Sequence, residues 1–207
     1  MEPSTSTPTA RTPWDDRLID GRYRVVGLVA RGSMGRVYRA RQEGLDRDVA
    51  VKVLDLRTGG EVQDDVKGRF MKEASTLARL HHPNTVRVYD FGMSEELPYI
   101  VMEFVEGVSL RQAMQTGALD PVRMLRLAEG VAASLQEAHG LGIVHRDLKP
   151  GNVLITEVSG EGEVAKVVDF GLVKTLEDGD LEATRDDVLL GTPLYMSPEQ
   201  IRGREVD

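Results

Sequence analysis

Short runs of apolar and β-branched residues alternate with Gly-containing turns in the first half of the sequence. The five runs are residues 23–28, 37–41, 49–54, 86–91 and 99–104. Between the third and the fourth, residues 64–80 carry apolar side chains at spacings of three and four, at Val66, Phe70, Ala74 and Leu77. Runs bounded by turns predict strands, and a period near that of the α-helix predicts one helix face. We therefore predict a five-stranded antiparallel sheet with one helix.

The second half of the sequence carries helical signals. Ser109 is suited to cap a short helix, and Asp120-Pro121 supplies an N-cap followed by proline at the first helical position. We predict a long helix over 121–139, closed by Gly140. Its predicted buried stripe is Leu125, Ala128, Ala132, Leu135 and Ala138. A loop-rich stretch follows, with two short strand-like runs at 153–155 and 166–168.

Composition narrows the class of protein. A chain of 207 residues with 41% hydrophobic residues can bury one large core or two smaller ones. Its net charge of -8 argues against nucleic acid as a partner, because no strongly basic surface is available. The absence of cysteine excludes disulfides and fits a cytoplasmic location. No apolar run is long enough to span a bilayer, so we expect no membrane contact within these residues, and an anchor beyond residue 207 stays open.

Two polar motifs carry the strongest chemical signal. Residues 145–152 read His-Arg-Asp-Leu-Lys-Pro-Gly-Asn, and residues 169–171 read Asp-Phe-Gly. Together they resemble the catalytic and metal-binding loops of the eukaryotic-like protein serine/threonine kinases of bacteria, and the resemblance spans about residue 22 to the end. It implies an α+β, bilobal protein-kinase-like fold. It also implies transfer of the ATP γ-phosphoryl group to Ser and Thr hydroxyls of proteins.

Phosphoryl transfer requires a hydroxyl held in line, a proton acceptor and cations that neutralise the phosphate charge. The resemblance implies that Asp147 is the base and that Lys149 contacts the moving phosphate. It implies that Asn152 and Asp169 bind a shared Mg²⁺, with Mn²⁺ as the alternative. The competing interpretation is that both aspartates only cap turns in loops. Two motifs at a kinase-like separation favour the catalytic interpretation.

A second set of residues resembles the ATP-binding half of a kinase. Lys52 lies in the strand-like run Val-Ala-Val-Lys, and Glu73 on the following helix would pair with it while the lysine holds the α- and β-phosphates. A lone lysine on a strand is more often a solvated edge residue. The apolar neighbours of Lys52 and its carboxylate partner favour the phosphate-binding role.

The phosphate-covering loop departs from the family pattern, because Ala30 replaces the first glycine while Gly32 and Gly35 are kept. Without its neighbours such a loop would indicate only a hairpin. The resemblance further implies an adenine pocket, which is formed by Val37, Ala50, Met102, Glu103, Val105 and Leu154. Apolar residues of this kind also belong to a hydrophobic core. The same residues can therefore be core residues and line an adenine pocket.

Residues 172–190 have mixed charge and resemble a kinase activation segment, which closes on the polypeptide-docking run 191–199. Arg146 offers a guanidinium to a phosphate in this segment, and Thr184 is our first candidate for phosphorylation. A plain solvated threonine is the alternative. Self-association for phosphorylation in trans is therefore a further expectation.

The resemblance implies a domain organisation. We expect a disordered tail over residues 1–20, a kinase N-lobe over 21–106 and a partial C-lobe over 107–207. Because Asp207 falls where the large buried C-lobe helix of the family would begin, we expect these residues alone to have little or no kinase activity. Two other functions stay open: a non-catalytic nucleotide- or partner-binding module, and a phosphotransferase acting on a small molecule. The docking run argues against the second.

Overall fold

The polypeptide folds into two units, each with its own buried core. The computed structural model describes residues 14–32, 35–54, 64–95, 97–117, 119–170, 193–202 and 204. Described residues up to Leu54, together with Tyr89–Phe104, form the first unit. Those of Asp64–Val88 and Val105–Asp207 form the second. The predicted lobe boundary between residues 106 and 107 stays a prediction.

The first unit is built on a six-stranded sheet. Its strands are β1 (Leu18–Ile19), β2 (Tyr23–Gly32), β3 (Gly35–Gln42), β4 (Arg47–Leu54), β5 (Val88–Ser94) and β6 (Leu97–Glu103). Their order across the sheet is β1-β2-β3-β4-β6-β5. The pairs β1–β2, β2–β3, β3–β4 and β4–β6 run antiparallel. The five predicted strands are present, and β1 was missed because two residues are too few to show a strand pattern.

One face of this sheet carries the core of the first unit. The buried cluster consists of Trp14, Ile19, Tyr23, Val25, Tyr38, Ala40, Val49, Val51, Val53, Tyr99 and Val101. Successive side chains of a strand point to opposite faces, so Ala50 and Lys52 project away from this cluster. Trp14 packs against Tyr38 with ring centroids 6.2 Å apart. Trp14 and Ile19, which the prediction placed in a disordered tail over residues 1–20, belong to this buried cluster.

The second unit combines helices with a small sheet. Its elements are α1 (Asp64–Leu77), β7 (Val108–Ser109), α2 (Leu110–Thr116), α3 (Pro121–Gly140), a 3₁₀ turn (Pro150–Asn152), β8 (Val153–Val158), β9 (Gly162–Val167), a second 3₁₀ turn (Pro193–Tyr195) and α4 (Pro198–Ile201). Strands β7, β8 and β9 form an antiparallel sheet in that order. Helix α1 is confirmed, although it ends at Leu77 and not at Leu80.

Both predicted caps are confirmed, but the predicted buried face of α3 is wrong. The Ser109 hydroxyl accepts the N–H of Gln112, and an Asp120 carboxylate oxygen accepts the N–H of Arg123. The buried side chains of α3 are Leu127, Ser134 and Ala138. Of the predicted stripe, Leu125 is 71% exposed, Ala128 and Ala132 are also exposed, Leu135 is half-buried and only Ala138 is buried.

The error has a physical reason, since the true face of α3 contains a polar residue. The Ser134 hydroxyl is buried because it is hydrogen-bonded to the Thr85 hydroxyl at 2.7 Å, which satisfies both groups. A prediction that uses only the apolar residues of α3 therefore assigns the wrong side of the helix as its buried face. Gly140 lies inside the helix, and the residue with a left-handed backbone is Gly142, with φ of 73°.

Across the described residues, no helix combines the length and the apolar character needed to cross a lipid bilayer.

Candidate active site

A buried histidine fixes the loop that follows α3. His145 is 3% exposed, its Nε2 is hydrogen-bonded to the Val168 carbonyl at 3.0 Å, and its ring centroid lies 4.7 Å from that of Phe170. Burial lowers the pKa of His145 below its ordinary value, so the ring is neutral near neutral pH. His145 thus packs between the two motifs as an anchor of the loop.

The candidate base Asp147 is held by two residues that follow it. Lys149 Nζ donates to Asp147 Oδ2 at 2.7 Å. Asn152 Nδ2 donates to the same oxygen at 3.0 Å and to the backbone carbonyl of Asp147 at 2.9 Å. The side chains of Lys149 and Asp147 are 26% and 24% exposed, so this cluster is partly removed from water. These donors fix the orientation of the Asp147 carboxylate.

The same hydrogen bonds orient the Asn152 amide, which is 8% exposed. Because Nδ2 donates both of its hydrogens to Asp147, the amide oxygen lies on the other branch of the side chain. The backbone carbonyl of Asn152 accepts the N–H of Val168 at 3.0 Å, which ties the 3₁₀ turn to the residue that precedes Asp169. Asp169 itself is exposed and has a left-handed backbone, with φ of 58°.

This donor set fits a metal that is shared with a phosphate. Mg²⁺ prefers oxygen ligands, and it usually takes one or two protein groups with phosphate and water completing its shell. In the part of the chain that the structure describes, no group of three or more His, Asp and Glu side chains could hold a metal by itself. The amide oxygen of Asn152 and the carboxylate of Asp169 therefore suit a metal whose shell is completed by phosphate and water. They do not suit a structural metal site that is closed by protein ligands alone.

In the first unit, four of the predicted nucleotide-binding residues share one face of the sheet. Lys52 on β4 lies opposite Val37 on β3, and Ala50 lies opposite Met102 on β6. Directly opposed residues of antiparallel strands project to the same face, here the face away from the core. Lys52 is half-buried in an interior strand. The alternative of a solvated edge lysine is therefore wrong.

The three positions of the Gly-rich motif differ in what the backbone requires of them. Ala30 lies opposite Val37, and Gly32 lies opposite Gly35. A Cβ on Gly35 would lie 2.2 Å from the Val53 carbonyl oxygen, whereas one on Gly32 would meet nothing closer than 3.8 Å. The close pairing of β3 with β4 therefore requires glycine at position 35. Ala30 and Gly32 are exposed, so this part of β2 is open to a ligand.

The remaining predicted residues lie in both units. Glu103 ends β6, and Val105 follows shortly after; both are half-buried. Leu154 on β8 is half-buried between Val153 and Ile155, which belong to a buried cluster, so Leu154 projects away from that cluster. Glu73 is half-buried on α1 of the second unit, and its pairing with Lys52 stays a prediction. Thr184 lies outside the described residues.

Two contacts between a side chain and a distant backbone group were not predicted from the sequence, and one of them reaches the loop of the candidate base. Gln200 Nε2 donates to the carbonyl of Arg146 at 2.6 Å, and the pattern Ser197-x-x-Gln200 is a capping box that could have drawn attention to it. The Glu137 carboxylate accepts the backbone N–H groups of His81 and His82 at 3.1 and 3.0 Å. No sequence pattern indicates that second contact.

A sheet with a half-buried lysine on an interior strand, and a helical unit whose loop unites Asp147, Lys149 and Asn152, define a protein-kinase-like fold. Residues 23–207 match the family model described as the protein kinase domain. The chain therefore belongs to the protein kinase family.

Relatives within this family agree with that assignment. The chain is 43% identical over 196 residues to the serine/threonine-protein kinase pkn2 of Myxococcus xanthus, covering 93% of this chain and 23% of the relative. It is 40% identical over 198 residues to PknL of Mycobacterium bovis, covering 95% of this chain and 48% of the relative. A crystal structure of a double mutant of the Mycobacterium tuberculosis PknI kinase domain is 29% identical with a TM-score of 0.72, covering 93% of this chain and 71% of that one. The chain thus spans less than half the length of these curated relatives.

Proposed function

We propose that the protein is a serine/threonine protein kinase that transfers the γ-phosphoryl group of ATP to Ser and Thr hydroxyls of proteins. The observation that carries this proposal is the cluster of Asp147, Lys149 and Asn152, held by hydrogen bonds of 2.7 to 3.0 Å in a member of the kinase family. The names of the curated relatives, which are serine/threonine kinases, support catalysis over a non-catalytic binding module. They also support a protein substrate over a small molecule.

In the proposed reaction the substrate hydroxyl oxygen attacks the γ-phosphorus of ATP. Asp147 accepts the hydroxyl proton as the new O–P bond forms and the bond from γ-phosphorus to the β–γ bridging oxygen breaks, releasing ADP. Lys149, already paired with the Asp147 carboxylate, contacts the transferred phosphate as a cation. Fixing these groups before the substrate binds lowers the entropic part of the barrier.

The nucleotide contacts are proposals for the residues of both units. Lys52 binds the α- and β-phosphates and pairs with Glu73. Ala30, Gly32 and Gly35 form the phosphate-covering loop. The adenine contacts are Val37, Ala50, Met102, Glu103, Val105 and Leu154. Asn152 and Asp169 bind the divalent metal, which we propose is Mg²⁺, with Mn²⁺ able to replace it; when bound, it neutralises phosphate charge.

Further proposals concern partners and regulation. Arg146 would pair with a phosphate on the activation segment, with Thr184 as the first candidate, and phosphorylation in trans would require transient self-association. We propose a cytoplasmic location and no nucleic-acid partner, consistent with a net charge of -8 and no cysteine.

Asp169→Asn in the full-length protein tests the proposal. Loss of one oriented catalytic group commonly costs about 10²–10⁴ in rate, so the rate of phosphate transfer to a protein substrate should fall at least this far while the circular dichroism spectrum stays unchanged. Asp46→Asn is the matched control, because Asp46 has a similar left-handed backbone, with φ of 50° against 58° at Asp169, and lies on the β3–β4 connection. Transfer at the wild-type rate by Asp169→Asn would overturn the assignment. Titrating Mg²⁺ and Mn²⁺ separately identifies the preferred metal.

A further inference from the structure

The peptide unit that leads into Asp147 has an unusual backbone. The N–H of Asp147 donates to the carbonyl of His145 at 2.7 Å, which closes a three-residue turn around Arg146. Arg146 has φ of 57°, so this is the γ-turn form that is rare and strained for a residue with a side chain. Such conformations are energetically unfavourable and persist only where surrounding contacts hold them.

Two groups hold this peptide unit, one at each end. The N–H of Asp147 also points at His145 Nδ1, at 3.3 Å, and His145 is itself buried and bonded to Val168. The carbonyl end, which belongs to Arg146, accepts a hydrogen bond from Gln200 Nε2 at 2.6 Å. Because both ends of one planar peptide are bonded, its rotation is restrained, and with it the Cα of the candidate base.

Gln200 is itself well placed to act as a fixed donor. It is the third residue of a capping box at the start of α4: its Oε1 accepts the N–H of Ser197 at 3.1 Å, while its own N–H donates to the Ser197 hydroxyl at 3.3 Å. The capping box therefore uses the oxygen of the Gln200 amide and leaves the nitrogen for Arg146. One side chain thus joins the segment 193–202 to the catalytic loop.

We propose that Gln200 is a positioning residue for the base: through the Arg146 carbonyl it holds the strained peptide that orients Asp147, and so it couples the segment 193–202 to catalysis. The proposal rests on the proposed kinase function for its catalytic consequence. The structural restraint itself can be tested separately. Nothing in the capping-box motif alone predicts the bond to Arg146, because Glu is equally suited to that motif.

The most discriminating variant is Gln200→Glu in the full-length protein. Glutamate keeps the size of the side chain and the acceptor for the Ser197 N–H, but it replaces the donor to Arg146 with a second acceptor. We expect kcat to fall about tenfold, as for loss of one positioning hydrogen bond, with the KM for ATP unchanged. Ser197→Ala is the matched control, because it removes the other half of the capping box and leaves the Gln200 amide able to reach Arg146.

Hydrogen exchange of the peptide covering residues 145–149 provides a readout that does not depend on activity. Faster exchange in Gln200→Glu than in Ser197→Ala, together with the selective loss of kcat, supports the proposal. Exchange at the wild-type rate in Gln200→Glu, or an equal loss of kcat in the two variants, overturns it. If the wild-type protein transferred no phosphate, the proposed function would fail, and the exchange rates would still decide whether Gln200 restrains the loop.

Discussion

Replacing Asn152 with alanine removes two hydrogen bonds to Asp147 at once, one to its carboxylate and one to its backbone carbonyl. A hydrogen bond to a charged group contributes about 1.5–3 kcal/mol and one to a neutral carbonyl about 0.5–1.5 kcal/mol. Asn152 is buried, so water cannot fully replace these bonds. The variant should lose about 2–4 kcal/mol of unfolding free energy, which corresponds to a Tm lower by about 5–15 °C for a domain of this size.

The catalytic effect of Asn152→Ala should exceed its effect on stability. Because the Asp147 carboxylate loses one of its fixed donors, we expect kcat to fall by about 10²-fold or more. Asn152→Asp separates orientation from metal binding, since aspartate keeps an oxygen ligand but places a second carboxylate about where the donor was, 3.0 Å from Asp147 Oδ2. If orientation of the base matters, Asn152→Asp is as inactive as Asn152→Ala.

Asn84→Ala is the control for both variants. Its amide nitrogen donates to the Ala165 carbonyl at 2.7 Å, within the same unit and outside the candidate site. Thermal unfolding followed by circular dichroism should show a lower Tm for Asn84→Ala, while steady-state kinetics should give kcat within about twofold of wild type. A wild-type kcat in Asn152→Ala, together with the lower Tm, would show that Asn152 is only structural and does not orient the base.

Three further predictions concern the fold. Gly35→Ala should lower the unfolding free energy by about 1–3 kcal/mol because its Cβ would overlap the Val53 carbonyl oxygen, whereas Gly32→Ala should change it by less than about 0.5 kcal/mol; equal values in urea titrations would contradict this. Tyr38→Phe should raise the unfolding free energy by about 1 kcal/mol, since the buried Tyr38 hydroxyl has no hydrogen-bond partner among the described residues. Burial lowers the pKa of His145 in the folded protein. As the pH falls below about 6.5, His145 therefore binds a proton more readily in the unfolded chain than in the folded one. Wild type should therefore lose stability on acidification more steeply than His145→Gln, and parallel pH profiles would contradict it.

The sequence predicted those parts of the fold that local patterns determine. The five longer strands and the caps at Ser109 and Asp120 depend on residue type at fixed spacing, and the structure has them. The burial of α3 could not be predicted, because it depends on the distant hydroxyl of Thr85, which satisfies Ser134. Strand β1 is two residues long, too short for any pattern.

In the candidate site, too, local patterns could be predicted and contacts between distant residues could not. Motif spacing predicted that Asp147, Lys149 and Asn152 lie together, because they belong to one loop and its turn. It could not predict the Gln200 contact with Arg146, since 54 residues separate the two positions. The role of Gly35 was only partly foreseen, because the constraint comes from the carbonyl of Val53 on the neighbouring strand.

Phosphoamino-acid analysis after incubation with Mg²⁺ and ATP labelled at the γ-phosphate shows whether the protein is a serine/threonine kinase with Asp147 as its base. The full-length wild-type protein, Asp147→Asn and the control Asp46→Asn should be compared on the same protein substrate. We expect label on serine and threonine with wild type and the control, and a loss of about 10²–10⁴ in rate with Asp147→Asn. No label with wild type, label only on tyrosine, or equal labelling by Asp147→Asn would contradict it.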